Sequence, residues 1–151
     1  VVSDETLNRM YNSADVTLNL ASNEGFGLAT LESLSAGTPI IVNKTGGLSE
    51  QVDDANTWGI GINPKVRNLI GSPSVPYIYD DICCANDAAD AIYTLYKKTH
   101  DERTAMGSAG REFVINSGYT TEDMCEGVFT GMDTAIETHT PSKTFKCLKV
   151  V

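Results

Sequence analysis

Two carboxylates, Glu24 and Glu32, bracket the segment Gly25-Phe26-Gly27-Leu28-Ala29-Thr30-Leu31. The apolar run Val16-Thr17-Leu18-Asn19-Leu20 precedes the first, and Leu28, Leu31 and Leu34 recur at helical spacing around the second. This pattern places Glu24 in a loop leaving a strand and Glu32 one turn inside a helix. The backbone N–H groups of Gly25 to Leu28 then lie at a helix N-terminus. About four amide donors there lack intrahelical partners and the macrodipole is positive, which suits an anion. Gly25 and Gly27 permit positive φ and close approach of a phosphate to the backbone. Phe26 reads as packing that shapes the turn. A diphosphate at the amides, with hydroxyl groups at the two carboxylates, describes a nucleotide sugar.

The combination Glu24, Gly25-Phe26-Gly27 and Glu32 resembles the signature of retaining glycosyltransferases of the GT-B fold, the family 4 and glycogen-synthase-like group. Ser35-Ala36-Gly37-Thr38-Pro39-Ile40-Ile41 is similar to that family's small-residue helix end and following strand, and Gly46-Gly47-Leu48-Ser49-Glu50 resembles its Gly-Gly-x-x-Glu loop. The resemblance is dense from about Ser3 to Pro64 and thin beyond. It implies the donor-binding C-terminal domain of an enzyme with two Rossmann-like domains, truncated at its N-terminus. The whole enzyme would transfer a hexose from a nucleoside-diphosphate sugar to a glycan or other acceptor. The acceptor would be bound by a missing N-terminal domain, and an Arg/Lys pair at the pyrophosphate would lie upstream of Val1. Neither a metal nor a cofactor is implied. The 151-residue chain alone is expected to transfer no sugar, and it is expected to self-associate or to expose an apolar patch at an uncovered sheet edge.

The resemblance gives the residues roles. Glu24 is the catalytic candidate, a carboxylate facing the positive charge that grows at the anomeric carbon in an oxocarbenium-like transition state. Without its neighbours it would read as a solvated loop glutamate. Gly25, Phe26, Gly27, Leu28 and Glu32 are donor-binding candidates. Glu32 leans toward the helix N-terminus, where a carboxylate suits a ribose diol; alone it would be an exposed helix glutamate. Gly46 and Gly47 either border the donor sugar or form a simple turn. Lys44 is a weak candidate for positive charge, and His100 and His139 fall near helix ends where solvation explains them.

Composition removes other classes. The net charge of -9, from 20 acids against 11 bases, disfavours nucleic acid, which needs a basic face. No apolar run approaches the roughly 20 residues of a membrane span. The expected location is the cytoplasm, with peripheral membrane attachment left open for a full-length protein. Cys83, Cys84, Cys125 and Cys147 show no zinc spacing and read as free thiols. Asn43-Lys44-Thr45 matches a glycosylation acceptor by chance, because it follows a buried-looking strand.

The elements that must position these residues alternate between strand and helix. Ser3 caps a helix carrying Leu7, Met10, Tyr11 and Ala14 on one face. Val16–Leu20, Ile40–Val42 and Gly59–Ile62 are strands; Gly27–Ala36 is a helix closed by Gly37, and a short helix is expected over Ser49–Asp53. Residues 65–84 look like an insertion, irregular from Lys65 to Pro76 with an extended Tyr77-Ile78-Tyr79. Helices follow from Asn86 or Asp87, from Asp101 to Ile115 and from Thr121 to Thr138. The alternation predicts an α/β, Rossmann-like parallel sheet flanked by helices over residues 1–140, with a tail at 141–151. Ligands in such sheets bind beyond the carboxyl ends of the strands, and both Glu24 and Lys44–Gly47 fall on that rim. A non-catalytic α/β nucleotide-binding or assembly module is the alternative. A dinucleotide enzyme is disfavoured, because Thr30 stands where Gly-x-Gly-x-x-Gly closes on a small residue.

Overall fold

A computed structural model describes residues 2–141. The tail expected from 141 onward, with Lys143, Lys146, Lys149 and Cys147, lies outside the described residues except for Pro141. Residue-to-residue contacts divide the chain into two compact units, Val1–Ser117 and Gly118–Val151.

In the first unit, α1 (Asp4–Asn12) begins at Ser3, whose hydroxyl accepts from the Thr6 N–H as the sequence predicts. Strands β1 (Thr17–Asn19), β2 (Ile40–Asn43) and β3 (Gly59–Ile62) form a parallel sheet in the order β1-β2-β3. Thr17 lies opposite Ile40, and Ile41 opposite Ile60. Helix α2 (Leu28–Ser35) crosses between β1 and β2, and a 3₁₀ turn over Gly46–Glu50 lies between β2 and β3. That turn starts earlier than the helix expected at Ser49–Asp53, directly on the two glycines.

Side chains alternate across a strand, so the sheet has two covered faces. On one, the Ser33 hydroxyl of α2 donates to the Thr17 hydroxyl at 2.8 Å and to the Thr38 carbonyl at 3.0 Å, one at a time. On the other, Ile41 and Ile62 pack with Ala88, Ala91 and Leu95 of α3 (Ala85–Tyr96) and Met106 of α4 (His100–Asn116). Ile40, Ile41 and Val42 are fully buried, as consecutive apolar residues between two helical layers must be. α4 opens with a capping box, Thr99 and Glu102 satisfying each other's backbone donors. α3 begins two residues earlier than its Asn/Asp signal, after Cys84.

The stretch 65–84 departs from expectation. The part expected to be irregular contains a strand, β4 (Val66–Leu69), which pairs antiparallel with β5 (Tyr79–Ile82), Arg67 opposite Asp81; the turn chemistry of residues 71–74 falls between the strands, and the expected extended segment overlaps β5 at Tyr79. Val66-Arg67-Asn68-Leu69 lacks a clean apolar alternation because all four residues are exposed, which removes the period-two signal. The second unit carries α5 (Thr121–Thr138), capped by the Thr120 side chain, over the bounds the sequence predicts. Among the described residues no helix is long and apolar enough to cross a membrane.

Truncating Ile41 to Ala should destabilise the first unit by about 2–5 kcal/mol, the usual cost of deleting a fully buried branched side chain. Leu28→Ala, at a residue 66% exposed, should change stability by less than about 0.5 kcal/mol. Urea denaturation followed by the Trp58 fluorescence checks both.

Candidate functional site

The site begins where β1 ends. The chain leaves Asn19, passes Ala21 to Phe26 and enters α2 through Gly27, which has φ of 90°. A side chain at that φ is strained, and an added Cβ would also stand 2.5 Å from the Leu48 side chain. Gly27 offers no side-chain cap, and the first turn of α2 contains no acidic residue. The helix therefore presents its amides with neither a capping oxygen nor an acidic residue of its own first turn.

A buried glutamine fixes this turn. Gln51 is fully buried, and its Nε2 donates to the carbonyl of Phe26 at 2.7 Å and lies 3.2 Å from that of Gly27. The Thr30 hydroxyl sits 2.7 Å from Gln51 Oε1 and 2.8 Å from the Gly27 carbonyl, so it donates to one or shares its proton between them. Trp58 Nε1 donates to the Gln51 carbonyl at 2.9 Å, and the indole stacks on Phe113 with 4.6 Å between ring centroids. The carbonyls of the turn are thereby satisfied from below.

Gly46 and Gly47 meet the same turn from the side. The Gly47 N–H donates to the Gly25 carbonyl at 3.2 Å. A Cβ on Gly46 would lie 1.8 Å from the Glu24 carbonyl oxygen, and one on Gly47 would lie 2.6 Å from Phe26 Cα. The Gly-Gly pair is thus a turn, and it is pressed against the Glu24 loop.

The structure thus gathers Glu24, Gly25, Phe26, Gly27, Leu28, Gly46 and Gly47 at the carboxyl ends of β1 and β2. The Glu24 side chain is half-buried and makes no hydrogen bond or ion pair with the described residues. Glu32 lies one turn into α2, where the Tyr11 hydroxyl of α1 donates to its Oε2 at 2.9 Å. Burial first, then the hydrogen bond to Glu32 and its negative charge, push the Tyr11 phenol up to about 12. Oε1 of Glu32 has no hydrogen bond among the described residues. Phe26 is partly exposed while its carbonyl is held by Gln51, in keeping with a part in shaping the turn.

The bases nearby are engaged. Lys44 Nζ lies 2.7 Å from Asp54, whose carboxyl is held below its ordinary value by that contact. Lys65 pairs with Asp87 at 3.2 Å and Arg67 with Asp81 at 3.0 Å. The described residues contain no group of three or more His, Cys, Asp or Glu side chains able to hold a metal, and Cys83, Cys84 and Cys125 are free. Asn43 is fully buried, with Nδ2 donating to the carbonyls of Ala21 and Asp81, so its acceptor motif is closed to modification in the folded chain.

Sequence reasoning passed over Tyr11, Thr30 and Gln51. Thr30 carried one usable signal, a hydroxyl placed to bond back to the carbonyl three residues earlier. Tyr11 was read only as part of an apolar stripe, and Gln51 bears no local mark of its burial.

Residues 1–69 match the family model of Glycosyl transferases group 1. The chain is 55% identical over 66 residues to a GDP-mannose-dependent alpha-(1-6)-phosphatidylinositol dimannoside mannosyltransferase of Mycobacterium tuberculosis, covering 40% of this chain and 17% of the relative. Its fold is shared with a sucrose-phosphate synthase from Thermosynechococcus elongatus (TM-score 0.66, 24% identity, 89% of this chain and 29% of that one). It is shared also with Anabaena HepE in complex with UDP (TM-score 0.62, 16% identity, 83% and 29%). The fold is that of GT-B glycosyltransferases. The chain spans 12% to 23% of the length of the first curated relatives that it matches.

Two outcomes follow from the contacts. Gln51→Ala strips the donor from the Phe26 carbonyl and should cost about 1–3 kcal/mol, measured by urea denaturation. In alkaline titration at 295 nm, Tyr11 should ionise near pH 12, and the late step should vanish in Tyr11→Phe. Because the folded value is raised, the stability from Tyr11 is complete below about pH 10, the ordinary tyrosine value. It is lost as pH climbs from there through the folded value.

Proposed function

We propose that this chain is the donor-binding part of a retaining glycosyltransferase of the family 4 kind, taking a hexose from a nucleoside-diphosphate sugar. The observation that carries the reading is the joint between the Glu24–Gly27 loop and Gly46-Gly47 at the N-terminus of α2. It lies within the segment matched by Glycosyl transferases group 1. Further support comes from the GDP-mannose dependence of one relative and the UDP in one structure of the same fold.

In this reading the diphosphate lies against the amides entering α2, whose positive end offsets its charge without a metal. Upstream Arg and Lys side chains would add to that charge. The second oxygen of Glu32 accepts from the ribose diol while Tyr11 holds the first. Glu24 borders the sugar. As the bond to the leaving diphosphate lengthens, positive charge spreads over the anomeric carbon and ring oxygen, and the carboxylate stabilises it more than it stabilises the ground state. The acceptor hydroxyl attacks from the leaving-group face, and its proton passes to the departing phosphate. The acceptor, a glycan or other hydroxyl compound, is bound by a preceding domain, in the cytoplasm.

Calorimetric titration of the chain with UDP, GDP and NAD tests the binding half: one nucleoside diphosphate should bind and NAD should not. Binding of neither diphosphate would remove the support for a donor site. In the full-length polypeptide, Glu32→Gln should mainly raise KM for the donor, because its contact is the same in ground and transition states. Glu24→Gln should lower kcat on the order of 10²-fold or more with normal thermal stability. An unchanged kcat would refute the role of Glu24. A nucleotide affinity without transfer by the full-length protein would favour a non-catalytic binding module.

A further inference from the structure

The β4–β5 hairpin stands outside the strand–helix alternation, yet one of its residues, Asp81, meets both loops of the candidate site, the loop after β1 through its backbone N–H and the loop after β2 through its buried carboxylate. Asp81 is only 6% exposed. Its Oδ2 accepts from the Thr45 hydroxyl at 3.0 Å, a hydroxyl that also lies 3.4 Å from the Ser22 carbonyl, and Arg67 pairs with the carboxylate, Nε 3.0 Å from Oδ1 and Nη2 donating to Oδ2 at 3.4 Å. The Asp81 backbone N–H donates to the Ser22 carbonyl at 2.7 Å, and its carbonyl accepts from Asn43 Nδ2 at 2.6 Å. Asn43 Nδ2 donates also to the Ala21 carbonyl at 2.9 Å.

Thr45 directly precedes Gly46-Gly47, and Ser22 lies two residues before Glu24. One residue of the hairpin therefore grips both strands' outgoing loops just before they meet. Fastening alone does not need a charge. Apolar residues of similar volume commonly hold a buried contact at least as well as an ion pair does. What a hydrogen-bonded carboxylate adds is direction, since it accepts along fixed lines from defined donors.

We propose that Asp81 is a positioning residue of the donor site, setting the distance between the Glu24 loop and the Gly46-Gly47 turn through Thr45 and Ser22. The proposal rests on the donor-site reading of those loops. The Thr45 hydroxyl is the decisive link, because Arg67 meets the carboxylate from within the hairpin, and its hydrogen bond and ion pair among the described residues are with Asp81 alone.

The test uses the full-length polypeptide with Asp81→Ala, Asp81→Asn, Thr45→Val and the double variant Asp81→Ala/Thr45→Val. Hydrogen exchange is read at Ser22–Gly27, Thr45–Leu48 and Ile40–Val42, and donor kinetics are read well below the melting temperature per folded molecule. Asp81→Ala should speed exchange about tenfold or more in both loops, as expected for losing a buried hydrogen bond, and leave Ile40–Val42 protected. It should lower kcat/KM by about 10- to 100-fold, since small displacements of a site carry costs of that order. Asp81→Asn, whose amide oxygen can stand in the place of Oδ2 and accept from Thr45, should recover most of both losses. Thr45→Val should match Asp81→Ala, and the double variant should add little to either. Unchanged exchange in the loops, an Asn variant no better than the Ala variant, or normal kinetics per folded molecule would overturn the proposal. If the unaltered protein neither binds a nucleoside diphosphate nor transfers sugar, the donor-site reading has failed. The exchange data then still decide whether Asp81 holds the two loops together.

Discussion

The arrangement depends on backbone meeting backbone. The loop after β1 and the loop after β2 touch at Gly25–Phe26 and Gly46–Gly47, closely enough that a Cβ on either of the latter would collide with main-chain atoms. Adjacent parallel strands bring their outgoing loops to one rim, but they do not by themselves bring the loops into contact. Contact needs glycine on one side and satisfied carbonyls on the other. Gln51 supplies the second condition. It follows the Gly-Gly turn in sequence and reaches under the opposite loop to the carbonyls of Phe26 and Gly27. Its own carbonyl is held by Trp58, which is stacked on Phe113 of α4. The geometry of the turn thus reaches back into the packing of the first unit.

The electrostatics of the rim follow from the same construction. The chain is acidic, and Lys44, Lys65 and Arg67 each have a carboxylate partner. The positive field that the described residues offer an anion comes from the amides entering α2, whose first turn lacks an acidic residue. The two glutamates occupy different settings beside it. Glu32 is oriented by a phenol whose proton is held up to about pH 12, so that contact persists across the ordinary range. Glu24 has no such partner among the described residues.

The parallel sheet was readable because Ile40-Ile41-Val42 is a continuous apolar run, and such runs occur where both faces are covered. The Glu24–Glu32 segment was readable because glycines and a helical leucine spacing mark a strand-to-helix turn. Buried polar partners were not. Gln51, Asn43 and Asp81 are polar residues whose burial depends on which loop arrives from elsewhere in the chain, and no local periodicity records that. The hairpin failed for a related reason. With Val66 to Leu69 all exposed, β4 has no buried face to impose alternation, and its pairing with β5 is set by cross-strand partners such as Arg67 and Asp81.

The position of the hairpin in the chain has its own consequence. It lies between β3 and α3, so it leaves the sheet at the carboxyl end, the same rim as the two site loops. An insertion after α2 would emerge at the opposite end of the strands, away from Glu24. A segment that follows β3 starts out from that rim. Its polar backbone groups need partners there, and Ser22, Asn23 and Asn43 supply them. Two of those three anchors, Ser22 and Asn23, belong to the loop that carries Glu24, so the hairpin is held at that loop and at the end of β2.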